Sequence, residues 1–294
     1  MDFLKSLSQR LLVLDGAIGT ELLAAGIKAP LELANVDSAQ QVEKLHEAYL
    51  AAGADIITTN TTCADALSLA EYGLQERSRE LTLAAAVLAR RAADKYATAE
   101  QPRYVVGSIG PTTRNLTLAH DTTEEQVAQA YRVQIEALIE GGVDAILVET
   151  VMDARNASVA VKQCRELSAQ MPIMVSAVLS RIDGRVASGA TIAKFLEDLP
   201  LEQIDVIGFN CSNGVKPIES AVKMLSTLCD KPIVAYPAVG EPRVQPNHFA
   251  KQMEGMVRGG LLNIVGGCCG TTPAYTEQLA KMASRWRPRK FKNK

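Results

Sequence analysis

Three cysteines are the residues best able to do chemistry together. Cys268 and Cys269 are neighbours within GGCCG (266–270), and Cys211 stands alone in FNCS (209–212). Three thiolates hold zinc firmly and leave a fourth position open to an incoming ligand, whereas structural zinc sites close all four, commonly with C-x2-C pairs. A neighbouring pair with a distant third is poor spacing for a zinc finger and suits an open site. Gly266, Gly267 and Gly270 give the backbone room to bend, so that both adjacent thiols can reach one metal. Two other readings of the vicinal pair stand beside this one: buried packing, or a strained redox disulfide. Cys164 and Cys229 fall in or near helical stretches and read as packing, while Cys63 closely follows a strand and could approach the same place. His46, His120 and His248 fall in helical segments or loops and read as surface or packing residues.

For such distant cysteines to meet, the fold must bring strand ends together. Short β-branched runs recur along the chain: LLVLDG (11–16), ADIITTN (54–60), YVVGSIG (104–110), DAILVET (144–150), PIMVSAVL (172–179), DVIGFNC (205–211), PIVAYPAV (232–239) and NIVGGCCG (263–270). Most are nearly continuous in apolar character, the mark of strands buried on both faces. Amphipathic segments lie between them. In the clearest, Thr123 and Gln126 predict a capping box, Val127, Tyr131, Ile135 and Leu138 the buried stripe, and Gly141–Gly142 the stop.

Eight strand–helix units in 294 residues predict an α/β fold, a single (β/α)8 TIM barrel spanning 1–294 as one domain. The alternative is a doubly wound open sheet, but no G-x-G-x-x-G follows the first strand and the eight units are alike in length. Barrel enzymes build their sites at the C-terminal ends of the strands. Those positions hold Asp15, Asn60, Glu149, Cys211, Cys268 and Cys269. None holds a lysine, which excludes a Schiff-base aldolase.

A net charge of −2 argues against nucleic acid as a partner, and no apolar stretch is long enough to span a membrane. The N-terminal stretch is no signal peptide, and six cysteines without a secretion signal read as reduced thiols in a cytoplasmic protein. The C-terminal SRWRPRKFKNK reads as a solvated basic tail.

LDGAIGTEL (14–22), TNTT (59–62), LVET (147–150), GFNCS (208–212) and GGCCGTTP (266–273) resemble, in this order, the signatures of the homocysteine S-methyltransferase family. GGCCG with an upstream NC is highly specific, whereas LDG-x-x-GT alone is only suggestive. SIGPT (108–112), GGCCGTTP and the stretch from Ile135 to Ala157 look most similar to the homocysteine-binding module of cobalamin-dependent methionine synthases. The resemblance implies one zinc ion on Cys211, Cys268 and Cys269. It implies the substrate ammonium on Asp15 and Glu149 and its carboxylate on the backbone at Gly16 and Ala17, with Asn60 among the substrate-binding residues. Two positions depart from the family pattern: Thr62 stands where an aromatic is usual, and Ala238 where an asparagine commonly caps the zinc. The resting fourth ligand is then water, Tyr236 or another residue.

The expected mechanism follows from thiol chemistry. A free thiol with a pKa near 8.5 is mostly protonated at neutral pH, and zinc deprotonates it. Methyl transfer to that sulfur is an in-line displacement with no proton to move, so no histidine is needed. Asp15 and Glu149 would orient L-homocysteine; the competing role for each is capping the following helix. The resemblance implies a methyl-corrinoid or methylfolate donor on a separate corrinoid- or folate-binding protein, with methylcobalamin carried by that partner. Direct transfer from S-methylmethionine or betaine, methylation of another thiol or selenol, and a non-catalytic zinc or redox thiol module are the alternatives. Met1 and the basic tail read as an intact chain instead of an excised module.

Overall fold

The computed structural model describes residues 2–117, 121–180 and 183–291. Eight parallel strands form the centre: β1 (Leu12–Val13), β2 (Ile56–Thr58), β3 (Tyr104–Ile109), β4 (Ala145–Val151), β5 (Ile173–Val178), β6 (Val206–Cys211), β7 (Ile233–Pro237) and β8 (Ile264–Val265). Hydrogen bonding runs in the order β1-β8-β7-β6-β5-β4-β3-β2. A parallel bridge from Leu14 to Ile56 joins the first and last members, with Asp15 N–H on Ile56 O at 2.9 Å and Asp55 N–H on Val13 O at 2.7 Å. The sheet is therefore a (β/α)8 TIM barrel, and the open-sheet alternative falls. Each of the eight runs contains a strand, but β1 and β8 are only two residues long. The rest of those two runs leaves the ladder to line the barrel mouth.

Side-chain alternation divides the core into two layers. Leu12, Leu14, Ile56, Tyr104, Val106, Ala145, Leu147, Met174, Val206, Val234, Tyr236 and Ile264 cluster inside the barrel. Their neighbours along the strands, among them Val13, Ile57, Val105, Ile146, Val175, Ile207, Ile233 and Val265, pack against the outer helices. Each such side chain, if wholly removed from water, contributes roughly 1.5–3 kcal/mol. The short helix Phe3–Gln9 closes the N-terminal end of the lumen: Phe3 meets the Tyr104 ring edge-on at 5.3 Å, and Ser6 Oγ is hydrogen-bonded to Tyr104 OH at 2.6 Å. Toward the other end the same inward positions turn polar, giving buried Ser108, Ser176 and Asn210 beside Tyr236. The barrel is thus plugged below and chemically equipped above.

The helix Glu124–Glu140 begins with the expected capping box of Thr123 and Gln126 and buries Val127, Tyr131, Ile135 and Leu138. Cys164 and Cys229 are core residues, as expected. His46 is fully buried on the helix Ala39–Ala51, a packing residue, and His248 is exposed on the helix Pro246–Arg258. His120 lies outside the described residues. No helix among the described residues is long and apolar enough to cross a membrane.

Candidate metal and substrate site

Cys211 is the last residue of β6, where strict alternation would aim it outward with Phe209. The backbone prevents this. Cys211 and Ser212 both adopt left-handed conformations, with φ of 51° and 54°. Among the described residues, one other non-glycine does so: Thr150, with φ of 55°, directly after Glu149. Such conformations cost on the order of 1–3 kcal/mol each and persist where surrounding structure enforces them. Here all of them lie beside the strand-end residues singled out from the sequence.

The segment after β7 laces the cysteine loops together. Ala238 N–H donates to Cys211 O at 2.8 Å, Cys268 N–H to Pro237 O at 2.9 Å and Val239 N–H to Cys269 O at 3.1 Å. As a result the Sγ atoms of Cys211, Cys268 and Cys269 all lie within 4.8 Å of one another, with Cys211 and Cys269 at 3.6 Å. The flanking glycines have different roles from the uniform bending expected. Only Gly270 takes a left-handed φ, 80°, whereas a Cβ on Gly266 would come within 2.8 Å of Leu14 Cβ.

Packed this closely, the three sulfurs cannot all ionise unaided. Hydrogen bonds from Cys211 and then Cys268 hold the Cys269 thiol well below the ordinary thiol range, while contacts with Cys211 and Cys269 and burial push Cys268 well above it. The protein alone thus favours one thiolate in the cluster, and three thiolates need a cation to neutralise them. A divalent ion that prefers sulfur fits that requirement. Cys211, Cys268 and Cys269 are the residues that could hold it.

The cluster opens into a cavity of about 360 Å³, lined also by Asp15, Gly16, Ala17, Asn60, Thr62, Cys63, Glu149 and Tyr236. Asp15 accepts Thr58 N–H at 2.8 Å and the Thr58 hydroxyl at 3.2 Å. It caps no helix. Glu149 Oε1 accepts the hydroxyls of Ser108 and Thr62, the latter at 3.3 Å, and Oε2 accepts Tyr236 OH at 3.2 Å. Burial raises the pKa of both carboxyls against these hydrogen bonds, and the Glu149 charge raises Asp15 further. Each carboxylate is held in place by donors yet has no cationic partner among the described residues, which is the condition of a site for a positively charged group.

The remaining expected residues divide. Gly16 N–H has no hydrogen-bond partner among the described residues, while Ala17 N–H already donates to Thr271 Oγ1 at 3.1 Å. A Cβ on Gly16 would meet the Tyr49 ring at 2.7 Å, so only glycine allows this approach. Asn60 lines the cavity, but its Nδ2 is committed to Leu31 O at 2.8 Å and Asn35 Oδ1 at 2.9 Å, bracing two loops. Cys63 does reach the mouth, and its N–H donates to Glu32 Oε1 at 3.0 Å. Sequence reasoning passed over Asn210, Ser108 and buried Glu32. Period-two alternation extended upward from Val206 and Val106 would have found the first two.

The profile of the Homocysteine S-methyltransferase family matches residues 12–283. Methionine synthase from Mycobacterium leprae is 33% identical over 97% of this chain, which spans about a quarter (25%) of that protein's length. The oxidized form of the homocysteine methyltransferase MmuM from Escherichia coli superposes with a TM-score of 0.79 at 25% identity, covering 92% of this chain and 95% of that one. The metallated form of MmuM gives 0.77 at 25% identity, with 93% and 96% covered.

Proposed function

The chain belongs to the homocysteine S-methyltransferase family, and on that premise we propose that it methylates L-homocysteine at sulfur, with a zinc ion held by Cys211, Cys268 and Cys269. The convergence of three Sγ atoms in a cavity at the barrel mouth carries this reading. Bound there, zinc supplies the substrate sulfur as a thiolate at neutral pH, the nucleophile for methyl displacement. The chain's own residues do the rest. Asp15 and Glu149 hold the substrate ammonium, and the free Gly16 N–H takes its carboxylate, with Ala17 joining if Thr271 releases its amide. Asn60 supports this pocket through the loops it braces. Cysteine, one methylene shorter, would leave either its sulfur or its ammonium without a partner.

The methyl donor in this reading is a methyl-corrinoid or methylfolate system carried by a separate protein module. Its support is the similarity to methionine synthase along almost the whole chain. A second reading, direct transfer from a small onium donor such as S-methylmethionine or betaine, is favoured by one observation: among the described residues, the cavity lining includes Asp15, Glu32 and Glu149 but no lysine, arginine or histidine.

Zinc-edge X-ray absorption on the purified protein, with and without L-homocysteine, tests the proposal. A rise from three sulfur neighbours to four is the expected result. A sulfur shell unchanged by substrate refutes it and favours a redox thiol module.

A further inference from the structure

Asn210 sits where the thiol cluster and the amino-acid end of the cavity meet. Its side chain is fully buried at the top of the lumen. Oδ1 accepts Thr150 N–H at 3.1 Å and the Ser176 hydroxyl at 2.9 Å. Nδ2 donates to Thr150 Oγ1 at 2.9 Å and is directed at Cys268 Sγ, 3.9 Å away. The amide cannot be turned over, because that would set an NH2 group against the Thr150 N–H. One planar group therefore touches β4, β5 and the loop after β8, while its own backbone runs directly into Cys211.

Thr150 is one of the strained residues, and it follows Glu149. Two hydrogen bonds to Asn210 hold it, and with it the direction in which β4 presents the Glu149 carboxylate. The N–H aimed at Cys268 supports negative charge on that sulfur without competing for a metal, the kind of outer contact that tunes metal ligands. We infer that Asn210 is a positioning residue that fixes Glu149 and Cys268 relative to each other, coupling the end of the cavity that holds the amino acid to the end that holds the metal. This rests on the proposed roles of the three cysteines and Glu149.

Asn210→Asp keeps both acceptor contacts and removes both N–H donors. Zinc affinity, by chelator competition, and L-homocysteine affinity at saturating zinc, by calorimetry, should each fall roughly ten- to hundredfold, the usual loss when a metal ligand's supporting partner is changed. In Asn210→Asp/Thr150→Gly the glycine adopts the left-handed conformation unaided. Homocysteine affinity should then return most of the way to wild type while zinc affinity stays low. A general loss of packing would not separate the two. Thr150→Ala gives the test without altering Asn210: homocysteine affinity falls about fivefold, the loss expected for one hydrogen bond, and zinc affinity holds. Unchanged zinc affinity in Asn210→Asp, or zinc and homocysteine affinities that move together in all three variants, overturns the inference and leaves the functional reading standing. A wild-type protein that binds neither zinc nor homocysteine overturns that reading, and the inference with it.

Discussion

Replacing Asp15 by asparagine removes one negative charge from the cavity and little else. Asn Oδ1 can still accept the Thr58 N–H that Asp15 now accepts at 2.8 Å, so the local fold is retained. Glu149→Gln is a worse probe, because three hydroxyls donate to that carboxylate and an amide NH2 would face at least one of them. Asp15 is 1% exposed, so water cannot replace the lost charge beside a substrate ammonium. Truncating one partner of a buried charged pair costs about 2–5 kcal/mol, or roughly 30- to 5,000-fold in affinity. The assay is calorimetric binding to the zinc-loaded protein of L-homocysteine and of 4-mercaptobutanoate, which is homocysteine without its amino group. In Asp15→Asn the first ligand should weaken by at least about 30-fold, the low end of that range, and the second hardly at all. Equal losses for the two ligands would show that Asp15 acts through the fold or the metal, and would refute the assignment of the ammonium to it. Both ligands give up a thiol proton to bind zinc and so weaken as pH drops, but because the Asp15 and Glu149 pKa values are raised, homocysteine affinity should fall more steeply through that raised range than the affinity of the des-amino ligand.

Cys268→Ala should abolish zinc retention and turnover, whereas Cys164→Ala, in the outer core, should keep both; metal analysis beside an activity assay decides. His46 is fully buried, neither nitrogen is hydrogen-bonded to any described residue, and burial lowers its pKa from 6.5 to about 4. The unfolded chain therefore binds a proton that the folded one refuses between those values, and at 1.36 kcal/mol per pH unit the wild type should lose about 3 kcal/mol relative to His46→Gln as pH falls from 6.5 to 4. Denaturation midpoints of the two proteins that move in parallel across that window would contradict this. Tyr236→Phe deletes one donor to Glu149 and should weaken homocysteine about fivefold, close to 1 kcal/mol, without changing zinc content.

Much of this architecture is legible in the sequence because buried parallel strands leave unambiguous apolar runs. All eight are found, and the strand-end rule brings Asp15, Glu149, Cys211, Cys268 and Cys269 to one cavity. What is not legible depends on conformation or on partners remote in sequence. The outward parity of Cys211 is overridden by left-handed backbone at Cys211 and Ser212, and neither residue type announces such a φ. Asn60 looks like a mouth residue by position, yet Leu31 and Asn35 claim its amide. Glu32 lies on a short helical turn far from any strand end, and it enters the cavity only because the loop after β2 folds back to meet it.

The charges of the cavity also fix the way an amino acid can enter it. Asp15, Glu32 and Glu149 line it, and among the described residues no basic side chain does. Two like charges about 4 Å apart interact by roughly 4 kcal/mol at the effective dielectric near a protein surface. A zwitterion turned to place its carboxylate against Asp15 and Glu149 would incur that penalty twice. In the proposed reading its carboxylate would therefore go to neutral donors, and Gly16 N–H, next to Asp15 in the chain, has no hydrogen-bond partner among the described residues. Neighbouring Ala17 N–H is tied through Thr271 Oγ1 to Cys268 O, which that hydroxyl reaches at 2.7 Å. Backbone that would receive one end of the substrate is thus anchored to the loop that would receive its sulfur. In the proposed reading, acidic side chains and backbone donors together would select a single orientation, with no cationic side chain from the described residues.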